Sequence, residues 1–442
     1  MLAVIYGVLV PELWRLGLAS AGLALLAGLA GPQVLLRFLL LTTGVTLAFV
    51  TSNQRALAGD IGGFNLDGLR LLAVLAAFGI AAIKTPSLLK VRREIWPLLL
   101  LLAWGAVTLL WSPSRTDGIR LLFKLMYPIV GFAAAFWLAR REPVDGLWKY
   151  FAIGAVLASF ANLALALSTG VWSEVGFEGR YRGGVGYNLV GHFSAMLGLV
   201  MLGAWLATKR VAYLWLGTVM FIQLVATGSR TAFVAFGVGV AVLGIALGKW
   251  KATLAAVIVA LTVWVAVPTL GLRTVLFTDR QSSVVAPEWI SGFNLSGRAL
   301  IWYDVWNALV KEHILTGAGF GAAAPFLASR FELIRHVHNE YLHLLADGGA
   351  IALCLFLGAY ALPVSRLLRM IAGSRRGQIY ASIALSTTCC FLAASLAENT
   401  LEYFAPYHFF PWCMVGIALG FSEWEVRHGD LYSAGERTRA EA

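Results

Sequence analysis

The sequence predicts an all-α polytopic membrane protein of about 12 transmembrane helices with one large, partly helical loop on the outer face, and three observations predict it. Of 442 residues, 59% are hydrophobic and only 13% are charged. Mean hydropathy is +0.78, which is more apolar surface than a soluble domain could hide. Apolar runs of membrane length follow one another along the chain, and one interval, 271–347, breaks the series.

A hydrocarbon core about 30 Å thick needs about 20 helical residues. Runs of that kind lie at 34–50, 67–83, 95–111, 119–138, 147–168, 187–207, 211–227, 230–248, 251–270, 348–366, 378–396 and 405–421. Residues 1–31 are apolar too, but Pro11, Glu12 and Arg15 interrupt them and Gly31-Pro32 closes them, so a thirteenth span and a re-entrant hairpin both fit. No short apolar stretch ends in a cleavage signature, and the first helices are expected to act as the insertion signal. Three regions follow: 1–270, N-terminal helices with short loops; 271–347, an outer cap; and 348–442, C-terminal helices with a cytoplasmic tail.

Loop charge sets the expected orientation, since short cytoplasmic loops retain Lys and Arg. Lys84, Lys90, Arg92 and Arg93 follow one span; Arg140, Arg141 and Lys149 another; then Lys209 and Arg210, Lys249 and Lys251, and Arg366, Arg369, Arg375 and Arg376. Every second loop is basic, so the remaining loops and the cap belong on the opposite side. The cap has six Lys or Arg against six Asp or Glu between 271 and 345. Its position therefore owes nothing to charge, because long loops cross largely regardless of it.

Composition also excludes classes. The net charge of +11 resides in short loops rather than on one amphipathic face, which argues against nucleic acid. Cys354, Cys389, Cys390 and Cys413 all fall inside predicted spans, which argues against a disulfide framework and a cysteine zinc site.

Arginines near the outer face are the first candidates for chemistry. Arg230, in Thr227-Gly-Ser-Arg230, sits between two spans with almost no loop, where a guanidinium is costly without a partner. Arg298 opens an amphipathic run in which Trp302, Val305, Trp306, Leu309 and Val310 follow helical spacing, and its own helix offers no anion on that face. Arg180 and Arg182 lie in a third, glycine-rich outer loop that ends at Asn188. Arginines converging from separate loops suit a diphosphate, which the planar guanidinium binds through two oxygens while keeping its charge. Such a ligand held at a bilayer is a lipid-linked one. Gly317-Ala-Gly-Phe-Gly321 lacks the Walker lysine and a preceding strand, so it reads as a turn between cap helices.

Four of the seven histidines lie in the cap. On a helix His336 and His338 point about 200° apart and cannot share a metal. No metal and no cofactor are expected. His338, where the cap meets the next span, is the candidate general base, with Tyr341, Leu342 and Leu345 expected on its helical face. His336 and His343 are expected to be dispensable.

Taken together, Gly228-Ser-Arg230, Ser296-Gly-Arg298-Ala-Leu-Ile-Trp302, Gly317-Ala-Gly-Phe-Gly321, His338-Asn-Glu-Tyr-Leu342 and Asp347-Gly-Gly349 resemble the O-antigen ligase and polymerase family, over roughly residues 170–400, with weaker agreement at Trp111-Ser112. The resemblance implies a bacterial inner-membrane glycosyltransferase whose active site faces the periplasm and whose donor is a glycan on undecaprenyl diphosphate. It implies that Arg230 and Arg298 bind the diphosphate and that His338 is catalytic. Arg180, Arg182, Asn188, Asn339 and Tyr341 are further candidates for substrate contact. A diphosphate leaves readily, so direct attack with inversion needs neither metal nor nucleotide; a covalent route would need a carboxylate, with Glu340 the nearest. Lipid A core is the expected acceptor, as in the ligases that complete lipopolysaccharide. Another lipid-linked repeat (a polymerase) and a protein hydroxyl (an O-oligosaccharyltransferase) are the alternatives within the family. A flippase is the alternative outside it.

Overall fold

The apolar runs fold as helices wherever the computed structural model describes them. The described residues are 21–41, 66–89, 92–142, 144–168, 187–251, 253–254, 258, 262, 298–331, 334–401 and 405–440, and no strand occurs among them. In chain order the helices are α1 (Ala21–Ala30) and α2 (Pro32–Leu41), α3 (Leu66–Lys84), α4 (Trp96–Thr108), α5 (Arg115–Ala139), α6 (Trp148–Ser168), α7 (Tyr187–Thr208), α8 (Val211–Thr227), α9 (Arg230–Ala246), α10 (Arg298–Val305), α11 (Ala323–Arg330), α12 (Glu340–Ile371), α13 (Arg375–Ser395) and α14 (Ala405–Ala440). Four described segments, Arg115–Ala139, Asn188–Thr208, Glu340–Ile371 and Arg375–Ser395, are long and apolar enough to cross a membrane. The expected spans at 1–20, 42–50 and most of 251–270 lie outside the described residues, as do 271–297 of the cap.

Close packing of the bundle rests on glycine. A Cβ on Gly416 or Gly420 of α14 would come within 2.6 Å of Phe132 O or Phe136 O on α5, so the four-residue glycine spacing lets the two backbones approach. On α9, Gly239 meets Leu199 of α7, and its carbonyl accepts a 2.8 Å hydrogen bond from Ser386 Oγ of α13. The α8–α9 corner is two residues long. Gly228 ends α8 at φ 59° and extended Ser229 opens α9, so Arg230 is the first residue of its helix by necessity of the turn.

Polar groups gather at both ends of the bundle. At the end carrying the basic loops, Arg366 donates to buried Glu94 at 2.7 Å, Arg92 bridges Glu94 and Glu423, and Gln378 donates to Ala246 O at 2.9 Å. Burial raises the Glu94 pKa, yet its backbone hydrogen bond, Arg92 and Arg366 outweigh that and leave it lowered. The opposite end holds the starts of α7, α9 and α14 and the exit of α13.

The described part of the cap has a small core of its own: Ile301, Val305, Val310, Ala323, Leu327, Val337 and Ala346. After α10 the chain makes one π-helical turn, Trp306–Val310. That turn lengthens the repeat, so the inward residues are Val305 and Val310, five apart, and Trp306 is 41% exposed. The expected apolar face therefore loses Trp306.

One clasp fastens the cap to the bundle. Gly317, Gly319 and Gly321 have φ of 73°, 103° and 87°, a conformation that disfavours side chains. Ser112 Oγ donates to Phe320 O at 2.7 Å, Trp111 Nε1 to Gly317 O at 3.1 Å, and Trp104 Nε1 to Gly348 O at 2.7 Å. Asp347 accepts from Gly321 N at 2.7 Å and Ala323 N at 2.9 Å. Trp111-Ser112, the glycine run and Asp347-Gly-Gly349, far apart in sequence, are thus one assembly.

α12 is not one straight helix. Gly349 sits at φ 70°, ψ −171°, a region essentially reserved for glycine. The rings of Tyr341 and Phe356 are 6.0 Å apart, where fifteen residues of straight helix would separate them by about 22 Å. The segment 340–348 folds back along the remainder of α12.

Candidate functional site

The elements meet around a carboxylate that sequence reasoning did not single out. In the turn after α13, Glu398, Asn399, Thr400 and Leu401 are each at most 3% exposed. Glu398 Oε1 accepts from Arg298 Nη2 at 2.7 Å and from Thr231 Oγ1 at 3.2 Å. Its other oxygen, Oε2, faces His338 Nδ1 at 3.6 Å. The anion that Arg298 requires therefore comes from the far end of the chain. Burial raises the Glu398 pKa, but neighbouring His338, Arg298 and His192 together prevail and hold it at about 2.

Each partner is held locally. Arg298 is the first residue of α10, whose Trp302 donates its indole N–H to Val337 O at 2.9 Å and so fixes the segment before His338. Thr231 is on the first turn of α9, next to half-buried Arg230. Ser229 donates to Asn188 Oδ1 at 2.9 Å, and Gly191 lets α7 approach, since a Cβ there would lie 2.8 Å from Ser229 Cβ. His192 bonds Asn188 O through Nδ1 at 2.8 Å. A carbonyl only accepts, so that nitrogen carries the proton.

His338 does not start a helix. It has φ 55°, unusual for a side-chain-bearing residue. Asn339 is the N-cap, its side chain accepting from Leu342 N at 3.0 Å, and the helix begins at Glu340. The expected shared helical face therefore fails. Tyr341 packs on the bundle core and donates to Leu392 O at 2.8 Å, whereas Leu342 and Leu345 pack on the cap core. Asn339 and Tyr341 are engaged with the protein's own backbone.

His336 lies with its ring 6.3 Å from that of His338. His343 is buried between two carboxylates, Nδ1 to Glu340 Oε1 at 2.9 Å and Nε2 to Asp347 Oδ2 at 3.2 Å. Glu340, wholly buried, also accepts from Leu401 N at 2.9 Å. It faces the interior, so it is unsuited to the nucleophile role that sequence proximity suggested. Arg180 and Arg182 lie outside the described residues. Among the described residues, no cluster of His, Cys, Asp and Glu could hold a metal.

Sequence reasoning singled out Arg298 and His338, which the structure brings together on Glu398, but did not single out Glu398, Ser229 or Thr231. A signal for Glu398 existed: Glu398-Asn-Thr400 closes an apolar span with a carboxylate in a loop too short to solvate it.

The fold and site define a class: a helical membrane protein whose cap, first-turn residues and one buried carboxylate converge at a single end of the bundle. Within the chain, residues 215–357 match the family model described as O-antigen ligase. An O-antigen ligase of Pseudomonas aeruginosa is 27% identical over 267 residues, 58% of this chain and 60% of that relative's length. The chain thus spans less than two thirds of the relative. These likenesses support the O-antigen ligase family for this chain. Arg230, Arg298 and His338 fall inside the matched span, and Glu398 lies beyond it.

Proposed function

We propose that this protein is an O-antigen ligase that moves a glycan from undecaprenyl diphosphate to a sugar hydroxyl of lipid A core at the periplasmic face of the bacterial inner membrane. The observation that carries the reading is the meeting of Arg298 and His338 on Glu398, one residue from Arg230 through Thr231. This is a base and cations at one point, on a chain with the family's matched span.

In this reading the acceptor hydroxyl attacks the anomeric carbon, and the bond to the diphosphate oxygen breaks with its electron pair leaving on the diphosphate. The hydroxyl proton passes to His338 Nε2. Nδ1–H stays directed at Glu398, whose charge stabilises the imidazolium as it forms. Arg298 spends one Nη on Glu398, and the other edge of its fork takes phosphate oxygens together with Arg230. Those cations offset the charge growing on the leaving group. Asn188, Asn339 and Tyr341 act by holding the site, and Arg180 and Arg182 are further candidates for substrate contact. Inversion at the anomeric carbon follows from a single displacement without metal. The twelve-span topology, with 271–347 as an outer cap over 1–270 and 348–442, belongs to the same proposal.

The test is transfer by purified protein from undecaprenyl-diphosphate glycan to lipid A core, followed by gel shift. His338→Ala is expected to lose at least about a hundredfold in rate while still binding donor. Near wild-type transfer by that variant would overturn the base assignment. Product formed only on a second lipid-linked repeat, or on a protein, would replace the ligase by a polymerase or by a protein glycosyltransferase.

A further inference from the structure

Outside the reacting groups, the most unusual chemistry in the molecule is the buried row Glu340–His343–Asp347. All three are at most 2% exposed. Both ring nitrogens of His343 face carboxylate oxygens, at 2.9 and 3.2 Å. The carboxylates are already committed as acceptors: Glu340 Oε2 takes Leu401 N, and Asp347 takes Gly321 N and Ala323 N through its two oxygens. His343 is thus closed in by two carboxylates, and three backbone N–H groups offset part of the negative charge of the row. Such a charge is costly to bury and destabilising to break.

The row connects two places. One end is the clasp, where Asp347 gathers the glycine turn. At the other, Glu340 grips Leu401, three residues after Glu398. The intervening helix is the folded-back segment whose preceding residue but one is His338. We propose that His343 is a positioning residue of the transfer reaction, fixing the separation of His338 and Glu398 by holding segment 340–348 between the clasp and the 398–401 turn. This rests on the ligase reading for its kinetic consequence, though not for its geometry.

The consequence falls on the basicity of His338. Among the described residues, Glu398 of the α13–α14 turn faces that imidazole at 3.6 Å and His336 of the preceding segment lies at a ring separation of 6.3 Å, while Arg298 of α10 and His192 of α7 act on Glu398. The carboxylate of this set is Glu398. If the row is broken, the 398–401 turn relaxes away and His338 becomes a weaker base.

The experiment uses the full chain in detergent with His343→Gln and, as a milder change, Glu340→Gln. Two quantities are read against pH: kcat/KM for glycan transfer, and the rate at which diethylpyrocarbonate modifies His338, followed by peptide mass spectrometry. In His343→Gln, kcat is expected to fall by between about tenfold and a hundredfold with KM little changed. The acid limb of kcat/KM and the modification midpoint should move down together by about half a pH unit. Glu340→Gln should move both the same way by less. Loss of rate in folded protein with neither midpoint moved, in either variant, would overturn the proposal and leave His343 a packing residue. If the wild type transfers no glycan yet the modification midpoint still shifts, the ligase reading fails while the positioning role stands.

Discussion

Glu398 changes how single substitutions should behave. Its pKa lies at about 2 in the folded protein against 4.5 for the unperturbed group. A depressed carboxylate contributes stability that is complete above pH 4.5 and is lost as pH falls through about 2. Glu398→Gln should therefore lower the melting temperature at pH 7 and flatten its dependence between pH 4.5 and 2, measured by thermal unfolding in detergent; an unchanged pH profile would refute the assignment. Removing one partner of a buried pair costs about 3–5 kcal/mol, so Arg298→Ala should lose both stability and transfer. Arg298→Lys should keep the fold but recover transfer poorly, because an ammonium cannot hold Glu398 and a phosphate with one planar fork. Full transfer by the lysine variant would remove Arg298 from the diphosphate. At this scale the sequence displayed Arg230, Arg298 and His338, since an arginine beside a membrane span stands out. The anion was hidden because nothing local links residue 298 to residue 398.

Elements carry the motifs that were hardest to interpret. The glycine run was legible as a turn, but not its purpose, which needs Ser112, Thr108 and Asp347 beside it. A Cβ on Gly321 would lie 2.4 Å from Gly118 N at a φ of 87°. Gly321→Ala should thus cost several kcal/mol, of the order seen for strained backbone and overpacking together. Gly237→Ala on α9, where a Cβ meets nothing within 4 Å, should be neutral or slightly stabilising. Equal melting temperatures for the two variants would show that the clasp does not hold the cap. Helix periodicity gave α8 to the residue, because Gly228 ends it with a local signal. The same periodicity misjudged Trp306 and the face of His338, because a π turn and an N-cap at Asn339 each reset the phase.

The whole molecule sorts its charge by end. Arg366, Glu94, Arg92 and Glu423 lock one end, and Arg298, Glu398 and His338 occupy the other. Cysteines at 375 or 376 and at 336 should accordingly differ in reactivity toward an impermeant reagent in intact spheroplasts, with only the latter labelled; the reverse pattern would invert the proposed orientation. Transfer should also persist in excess EDTA, and activity restored by one divalent ion alone would count against the metal-free route. The all-helical architecture was readable from hydropathy, since burial in lipid demands helices, whereas the fold-back at Gly349 was not, since periodicity runs unbroken through it. The grip of Glu340 on Leu401 adds a constraint on assembly. Arg230, Arg298 and His338 all precede residue 372, yet the proposed centre cannot close until the turn at 398–401 has been made, so it depends on a segment that follows α12. A chain stopped after α12 should be inert. Supplying residues 373–442 as a separate polypeptide, cut at the Gly373 turn, should bring the missing carboxylate to a half already waiting for it.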